Sequence, residues 1–380
     1  MEQYAGKIAV VANTAWNIVN FRLGLIVALI ENGYDIVVIA PGDEYVSKIE
    51  ATGCKFIPLQ RLDRKGTNPV QDLRLTHELY RIYKREKFDL VLHYTIKPNI
   101  YGTFAASFAG VKAVCTVTGL GYSFLSDNWI SRLAKNLYKR AFKRAVYVAF
   151  QNDDDRQLFI SQNLVSADKT MLIRGSGIKC DYFCPLPKTE TSENFIFLFV
   201  GRLLLDKGIR EYLNAAAEVR KSYPKTEFWT VGALDTDNPS CIDSDSVEDA
   251  QQKGLLRYFG PSDEVREFVR NADVVLLPSY REGLPRVMLE AISMAKPIIT
   301  TDAAGCRDTV IDGINGYMVP VKDWEALAAA MKKMLEADKE TLVKMGEEGR
   351  KLALREFDEK MVVKRYIDVI AYLIAKGNAK

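Results

Sequence analysis

The sequence predicts an α/β protein built from two doubly wound domains facing each other across a cleft. Three observations carry that prediction. Short Val- and Ile-rich apolar runs alternate with amphipathic stretches along the whole chain, the pattern of parallel sheets covered by helices on both faces. The alternation stops at a Pro-, Thr- and Glu-rich stretch, residues 185–194 (PLPKTETSEN), and then restarts. The chain has 380 residues, 48% apolar and 27% charged, which supplies two cores and excludes a disordered polymer.

The elements follow in order. Residues 7–12 read as the first strand, 21–31 as a helix, and 35–40 (DIVVIA) as a strand closed by Pro41 and Gly42. Strands follow at 55–59, 90–93, 113–118 and 147–150, with helices at 73–86, 101–108 and 129–142. The acidic run Asp153-Asp154-Asp155 reads as a helix N-terminus, where carboxylates complement the dipole. Beyond the linker, 195–200 (FIFLFV) is a strand that delivers Gly201 and Arg202. Helices are expected at 209–222, 262–271, 284–295, 323–336 and 339–354, and strands at 227–232, 256–259, 274–278 and 297–301. Residues 358–376 carry Met361, Val362, Tyr366, Val369, Ile370 and Leu373 on one stripe, expected to cross back onto the first domain. The expected division is a first domain over 1–184 with the helix 358–376, a linker over 185–194, and a second domain over 195–357.

The formal net charge of +3 hides a split. Residues 1–180 hold 24 Lys and Arg against 16 Asp and Glu, a net of +8; residues 181–380 hold 28 against 33, a net of −5. The overall balance argues against a nucleic-acid binder. No apolar run is long enough to span a bilayer, and the N-terminus does not read as a signal peptide. The six cysteines are scattered without a Cys-x-x-Cys pair, and only two histidines are present, so free cytosolic thiols are expected rather than a zinc site.

Two segments carry chemistry. In 280–297 (YREGLPRVMLEAISMAKP), Glu282 lies in a loop after a strand and Glu290 lies two turns into the following helix. Gly283 permits close approach of the backbone, and the first helical N–H groups favour an anion. One carboxylate can accept from sugar hydroxyls and the other from a ribose diol. In 200–208 (VGRLLLDKG), a strand delivers Gly201 and Arg202, and Lys207 follows; these cations can close on a diphosphate from the opposite side. Asp153–Asp155 and Asp235 with Asp237 are the only candidates for a metal site, and none is expected to hold one.

Gly201-Arg202…Lys207-Gly208 followed by Glu282-x7-Glu290 resembles the retaining glycosyltransferases of the GT-B fold, which pair two Rossmann-like domains and use nucleotide sugars. The resemblance covers essentially the whole chain. It implies that Arg202 and Lys207 bind the donor diphosphate. It places Glu290 on the ribose, Glu282 on the transferred sugar, and the backbone of Gly283 and Leu284 against sugar or diphosphate. Asn68-Pro69, Lys97-Pro98-Asn99-Ile100-Tyr101-Gly102, Gly119-Leu120-Gly121-Tyr122, Phe150-Gln151-Asn152 and Asp237-Asn238-Pro239-Ser240-Cys241 are similar to a narrower bacterial subgroup. That subgroup builds polysaccharides and glycan-linked lipids, and includes the α-1,3-N-acetylgalactosaminyltransferases that extend an undecaprenyl-diphosphate-linked sugar in N-glycan assembly. The chain departs from the family in two places. The loop after the first strand (Asn13-Thr14-Ala15-Trp16-Asn17) lacks the Gly pair that many members set against the donor phosphates, leaving Thr14 as the donor-facing candidate. Thr118 stands where many members place a His near the sugar. His93 and Lys97 are further candidates, Lys97 for an acceptor phosphate.

These features predict transfer of a sugar, an N-acetylhexosamine or hexose, from a UDP-sugar to a polyprenyl-diphosphate-linked or other glycolipid, with retention implied by the resemblance and no metal cofactor. The departing diphosphate is expected to take the acceptor proton, with Arg202 and Lys207 stabilising it. Residues 129–144 hold Arg132, Lys135, Lys139, Arg140, Lys143 and Arg144 without an acid, beside Trp129, Ile130, Leu133, Leu137 and Phe142. Such a helix suits an anionic membrane surface, which would make the protein peripheral on the inner face of the cytoplasmic membrane. Two other classes share the architecture: an enzyme of the UDP-sugar 2-epimerase type, and a non-catalytic nucleotide-sugar-binding protein.

Overall fold

The computed structural model describes residues 5–63, 68–120, 129–189 and 194–378. The chain forms two compact units, Met1–Gly177 with Glu359–Lys380, and Ile178–Asp358.

The first unit is a seven-stranded parallel sheet. Its strands are β1 (Gly6–Val11), β2 (Tyr34–Ala40), β3 (Lys55–Pro58), β4 (Leu90–Tyr94), β5 (Lys112–Val117), β6 (Tyr147–Phe150) and β7 (Thr170–Leu172), in the order β3-β2-β1-β4-β5-β6-β7. Its helices are α1 (Ala15–Glu31), α2 (Val46–Glu50), α3 (Pro69–Glu86), α4 (Thr103–Ala109), α5 (Trp129–Phe142) and α6 (Asp153–Ser161). The continuous apolar run of β1 is split by the two-residue period of a strand. Ile8 and Val10 pack with Ile18, Leu25 and Leu29 of α1, while Ala9 and Val11 pack with Leu75 and Leu79 of α3 and Ala105 and Ala106 of α4.

The second unit repeats the plan with six parallel strands: β8 (Phe195–Val200), β9 (Thr226–Val231), β10 (Arg257–Tyr258), β11 (Val274–Leu277), β12 (Ile298–Thr301) and β13 (Gly316–Val319), ordered β10-β9-β8-β11-β12-β13. Its helices are α7 (Ile209–Ser222), α8 (Ser244–Gln252), α9 (Val265–Asn271), α10 (Arg286–Ser293), α11 (Trp324–Glu336) and α12 (Lys339–Leu352). The last helix, α13 (Glu359–Asn378), belongs to the first unit, where Val362, Tyr366, Ile370 and Leu373 lie in the same core as α1. The Tyr366 hydroxyl is bonded to that of Thr116 at 3.0 Å. Four short elements carry too little periodicity to be read from the sequence: α2, β7, α8 and β13.

The expected linker is a correction. The chain passes from the first unit to the second at Gly177, not within 185–194, and returns after Asp358. Ile178, Cys180 and Phe183 are in the second core. The described part of 185–194 is tied to the second unit by polar bonds. Lys188 pairs with Asp273 at 2.6 Å, and the Thr189 N–H donates to Asn271 Oδ1 at 2.8 Å. A Pro- and Thr-rich composition removes apolar periodicity, but it does not prevent a segment from being strapped down by hydrogen bonds.

Candidate active site

In both sheets the connections leave the central pair of strands in opposite directions, and ligands of such sheets bind where the loops after that pair diverge. In the second unit this pair is β8 and β11. The segment after β8 carries Gly201, Arg202, the single turn Leu205–Lys207, and Gly208 at the start of α7. The segment after β11 carries Pro278 to Leu284. Extended Pro285 then begins α10 with no side-chain cap, leaving its first turn suited to an anion.

Backbone contacts lock the two loops together. Gly208 has φ 78°, and a Cβ there would lie 2.1 Å from the Pro278 carbonyl oxygen, so only glycine lets this turn rest on the β11 loop. Tyr280 N–H donates to the Asp206 carbonyl at 2.9 Å, and the Ser279 hydroxyl donates to the same oxygen at 3.1 Å. From the other side Gly305, with φ 77°, lies against the carbonyls of Glu282 and Gly283; a Cβ would be 2.5 Å from each. Glu282 N–H donates to the Ala304 carbonyl at 2.9 Å, and the Thr301 hydroxyl donates to the Ser279 carbonyl.

This frame brings Lys207 Nζ onto Glu282 Oε1, with the two side chains only 20% and 13% exposed. Arg202 pairs with Asp235 at 2.9 Å. The loop that Asp235 opens runs to Cys241, beside the Arg202–Lys207 segment: Leu205 N–H donates to the Ser240 carbonyl at 2.7 Å, and Leu204 bridges Cys241. Glu290 is 7% exposed and accepts from Arg286 Nε at 2.9 Å. Burial pushes its carboxyl up, against the opposing pull of Arg286.

Arg202, Lys207, Gly283 and Glu282 therefore leave β8 or β11 at one end of the sheet, with Leu284 half-buried before α10 and Glu290 inside it. The arrangement offers two cations and an uncapped helix start to an anion, and two carboxylates to hydroxyl donors. An arriving diphosphate can replace the carboxylate on Lys207, freeing Glu282 to accept from a hydroxyl. Sequence reasoning missed the supports: Asp206, Thr301, Gly305, and Tyr280 with Glu211. The Tyr280 hydroxyl donates to Glu211 Oε1 at 2.7 Å, and burial together with that carboxylate pushes its phenol up. Asp206 and Tyr280 lie inside the motif segments, so proximity in sequence was the available signal; Thr301 and Gly305 gave none.

The first-unit candidates fall out differently. His93 is fully buried, with Nε2 bonded to the Tyr83 hydroxyl at 2.9 Å and Nδ1 to the Thr103 hydroxyl at 3.1 Å. Burial pushes its pKa down to about 3, so the ring is neutral and both nitrogens are engaged in the core. Lys97, expected as an open cation, is held by Asp72 at 2.8 Å, and Tyr101 donates to the other Asp72 oxygen at 2.8 Å. Thr14 caps α1 by accepting from Asn17 N–H at 3.0 Å. Thr118 is half-buried after β5, next to Gly119; Gly121 and Tyr122 lie outside the described residues. On α5, Tyr138, Ala141 and Phe142 face the core, whereas Trp129, Ile130 and Leu133 are 70%, 42% and 48% exposed. No described helix is long and apolar enough to cross a membrane.

Residues 187–352 match the family described as "Glycosyl transferases group 1", and residues 7–152 match "Glycosyl transferase 4-like". The chain is 27% identical over 377 residues to a Campylobacter jejuni protein, covering 95% of this chain and 97% of the relative. That relative is named N,N'-diacetylbacillosaminyl-diphospho-undecaprenol alpha-1,3-N-acetylgalactosaminyltransferase. It is 26% identical to an Escherichia coli UDP-Gal:alpha-D-GlcNAc-diphosphoundecaprenol alpha-1,3-galactosyltransferase, over 69% of this chain and 70% of that one. Among solved structures, sucrose-phosphate synthase from Thermosynechococcus elongatus superposes with a TM-score of 0.82 at 19% identity, covering 98% of this chain and 100% of that one. Anabaena HepE in complex with UDP-glucose superposes at 0.76 and 18% identity, covering 97% and 100%. These likenesses show the fold.

Proposed function

The chain belongs to the group 1 glycosyltransferases of GT-B fold, and we propose that it transfers a sugar from a UDP-sugar to a lipid-diphosphate-linked saccharide, with retention at the anomeric carbon. The observation that carries the donor half is the Lys207–Glu282 pair at the crossover of the second sheet, with Arg202 after the same strand as Lys207. The acceptor half rests on the names of the Campylobacter and Escherichia relatives. The matches are to transferases, and the epimerase and binding-protein readings have no comparable support.

In this reading the donor diphosphate displaces Glu282 from Lys207 and Asp235 from Arg202. Glu282 then accepts from a hydroxyl of the transferred sugar, and Glu290 accepts from the ribose. The bond from the anomeric carbon to the diphosphate oxygen breaks, and the acceptor oxygen bonds to that carbon on the same face. The acceptor hydroxyl proton passes to the departing diphosphate. Negative charge grows on that group as the bond breaks, so the contacts of Lys207, Arg202 and the α10 start strengthen in the transition state. The cations and helix terminus supply the stabilisation, and no metal is assigned a role.

The acceptor's lipid implies a membrane surface. The first half of the chain carries the +8 excess, and α5 with residues 143–144 presents six of those cations beside exposed Trp129, Ile130 and Leu133. Insertion of the three apolar side chains with the cations on lipid phosphates would seat the protein on the inner face of the cytoplasmic membrane. The test of the function is UDP release from a panel of UDP-sugars with and without a lipid-diphosphate-linked sugar. Release that depends on both substrates supports the reading; release indifferent to the lipid contradicts it.

A further inference from the structure

Helix α10 opens on a residue that helix electrostatics disfavours. Arg286 is its first residue and its first turn holds no acid, although a cation at a helix start opposes the macrodipole. By contrast α7, α11 and α12 each carry a glutamate in the first turn: Glu211, Glu325 and Glu340. Arg286 also precedes Glu290 by four residues, the weaker order for an oppositely charged pair on a helix. A local rule broken beside a strand-end loop points to a role other than helix stability.

Glu290 supplies that role. Its Oε1 accepts from Arg286 Nε at 2.9 Å, and its side chain keeps 9% of its surface exposed. Among the described residues Oε2 has no hydrogen-bond partner, yet it is not one of the fully enclosed polar atoms, so it remains open to a donor. A carboxylate at this depth needs a counter-charge to stay ionised. The charged groups of the elements packed on α10 are turned to other partners. Arg350 of α12 donates to the carbonyls of Phe183 and Ser293, and Arg355 and Glu356, just beyond α12, pair with each other. Arg270 of α9 donates to the Pro187 carbonyl, and Arg307, after β12, to Asp302. Strands β11 and β12 carry no charged residue. The Cys306 thiol is pushed up to about 12 by burial and is neutral. Among the described residues Arg286 is the charged group that acts on Glu290.

We propose that Arg286 is a positioning residue for the donor's ribose: it fixes one oxygen of the Glu290 carboxylate and supplies its counter-charge, which leaves Oε2 to accept from the ribose diol. The inference rests on the reading that a UDP-sugar is the donor and that Glu290 meets its ribose. Its consequence is that recognition of the ribose requires an ionised carboxylate. A charged acceptor holds a hydroxyl roughly twice as strongly as a neutral one. Burial pushes the Glu290 carboxyl up, and Arg286 opposes it. Without the guanidinium the carboxyl rises further and takes up a proton at higher pH, and the ribose contact weakens.

The test uses the full chain and two probes, UDP and 2′,3′-dideoxy-UDP, titrated by calorimetry from about pH 5.5 to about pH 9. The diphosphate titrates alike in both, so the ratio of their affinities reports the ribose contact alone. Wild type should favour UDP by about 10- to 100-fold near neutral pH, the range for hydrogen bonds to a charged group, and should lose that preference as pH falls. Arg286→Met should reduce the preference about fivefold or more near pH 7 and regain it only at higher pH. Arg286→Gln, which keeps a donor but not the charge, should behave as Arg286→Met does and guards against misfolding of either variant, checked by thermal melts. Arg286→Lys, which keeps the charge, should restore most of the preference. Glu290→Gln should show a small preference that does not change with pH, which identifies Glu290 as the titrating group. An unchanged preference and pH profile in Arg286→Met overturns the proposal. Equal losses of affinity for both nucleotides put Arg286 on the diphosphate and overturn it too. A wild type that binds neither nucleotide, or both equally, overturns the donor reading together with this inference. Failure of lipid-dependent transfer with these binding results intact would count against the acceptor and not against Arg286.

Discussion

Lys207 Nζ donates a hydrogen bond to Glu282 Oε1, joining the loop after the first strand of the second sheet to the loop after its fourth. The pair is only slightly exposed, and its partners come from segments 75 residues apart. Lys207→Ala should cost catalysis, and should also lower stability by taking the cation away from the Glu282 carboxylate. We expect kcat to fall about 10²–10³-fold, as for loss of one group that stabilises developing charge. Steady-state kinetics beside a thermal melt checks this; a full-activity variant would remove Lys207 from the diphosphate.

Gly208 makes the Lys207–Glu282 contact possible, because its turn lies on the Pro278 backbone in the left-handed region. Gly208→Ala should destabilise the second unit by roughly 2–4 kcal/mol, the range for a backbone clash at a special φ. It should also weaken UDP binding. Urea unfolding with calorimetry of UDP reads both, and an alanine variant as stable as wild type would show that the turn shifts freely.

His93 gives a pH signature in the first unit. Its folded pKa of about 3 lies below the 6.5 of a free histidine, so the unfolded chain binds the proton more tightly between those values. The stability that neutral His93 contributes is present above pH 6.5 and is lost as pH falls toward 3, at about 1.4 kcal/mol per pH unit in the limit. Urea unfolding of wild type and His93→Gln from pH 7.5 to 5 should show the stability difference shrinking with falling pH. A constant difference would place the histidine in contact with solvent.

The exposed apolar end of α5 predicts membrane binding with two separable parts. Reversing Lys135, Lys139 and Lys143 to Glu should weaken sedimentation with anionic phosphatidylglycerol vesicles, and lowering the salt should strengthen binding in wild type only. Trp129→Ser with Leu133→Ser should weaken binding at all salt concentrations. Unchanged sedimentation in both variants would return α5 to a solvated surface helix.

What the sequence made legible follows from range. The strands, the doubly wound order of each unit, and the motifs at Arg202, Lys207, Glu282 and Glu290 are written in local runs; Arg202, Lys207 and Glu282 follow strand ends, and Glu290 lies one turn into α10 where two turns were expected. Contacts between distant segments were not legible. Nothing local shows that Asp72 takes up Lys97, that Tyr83 and Thr103 enclose His93, or that Gly305 supports Glu282. The linker was misplaced for the same reason: its polar side chains bind Asn271 and Asp273, which lie about 80 residues away.

The most direct test of the account is transfer itself. Purified protein, a UDP-sugar and a lipid-diphosphate-linked sugar should yield UDP and a lipid extended by one residue, with the new linkage in the donor's anomeric configuration by NMR, and Lys207→Ala should slow formation of both products about 10²–10³-fold. UDP formed without extension of the lipid, or an inverted linkage, would contradict it.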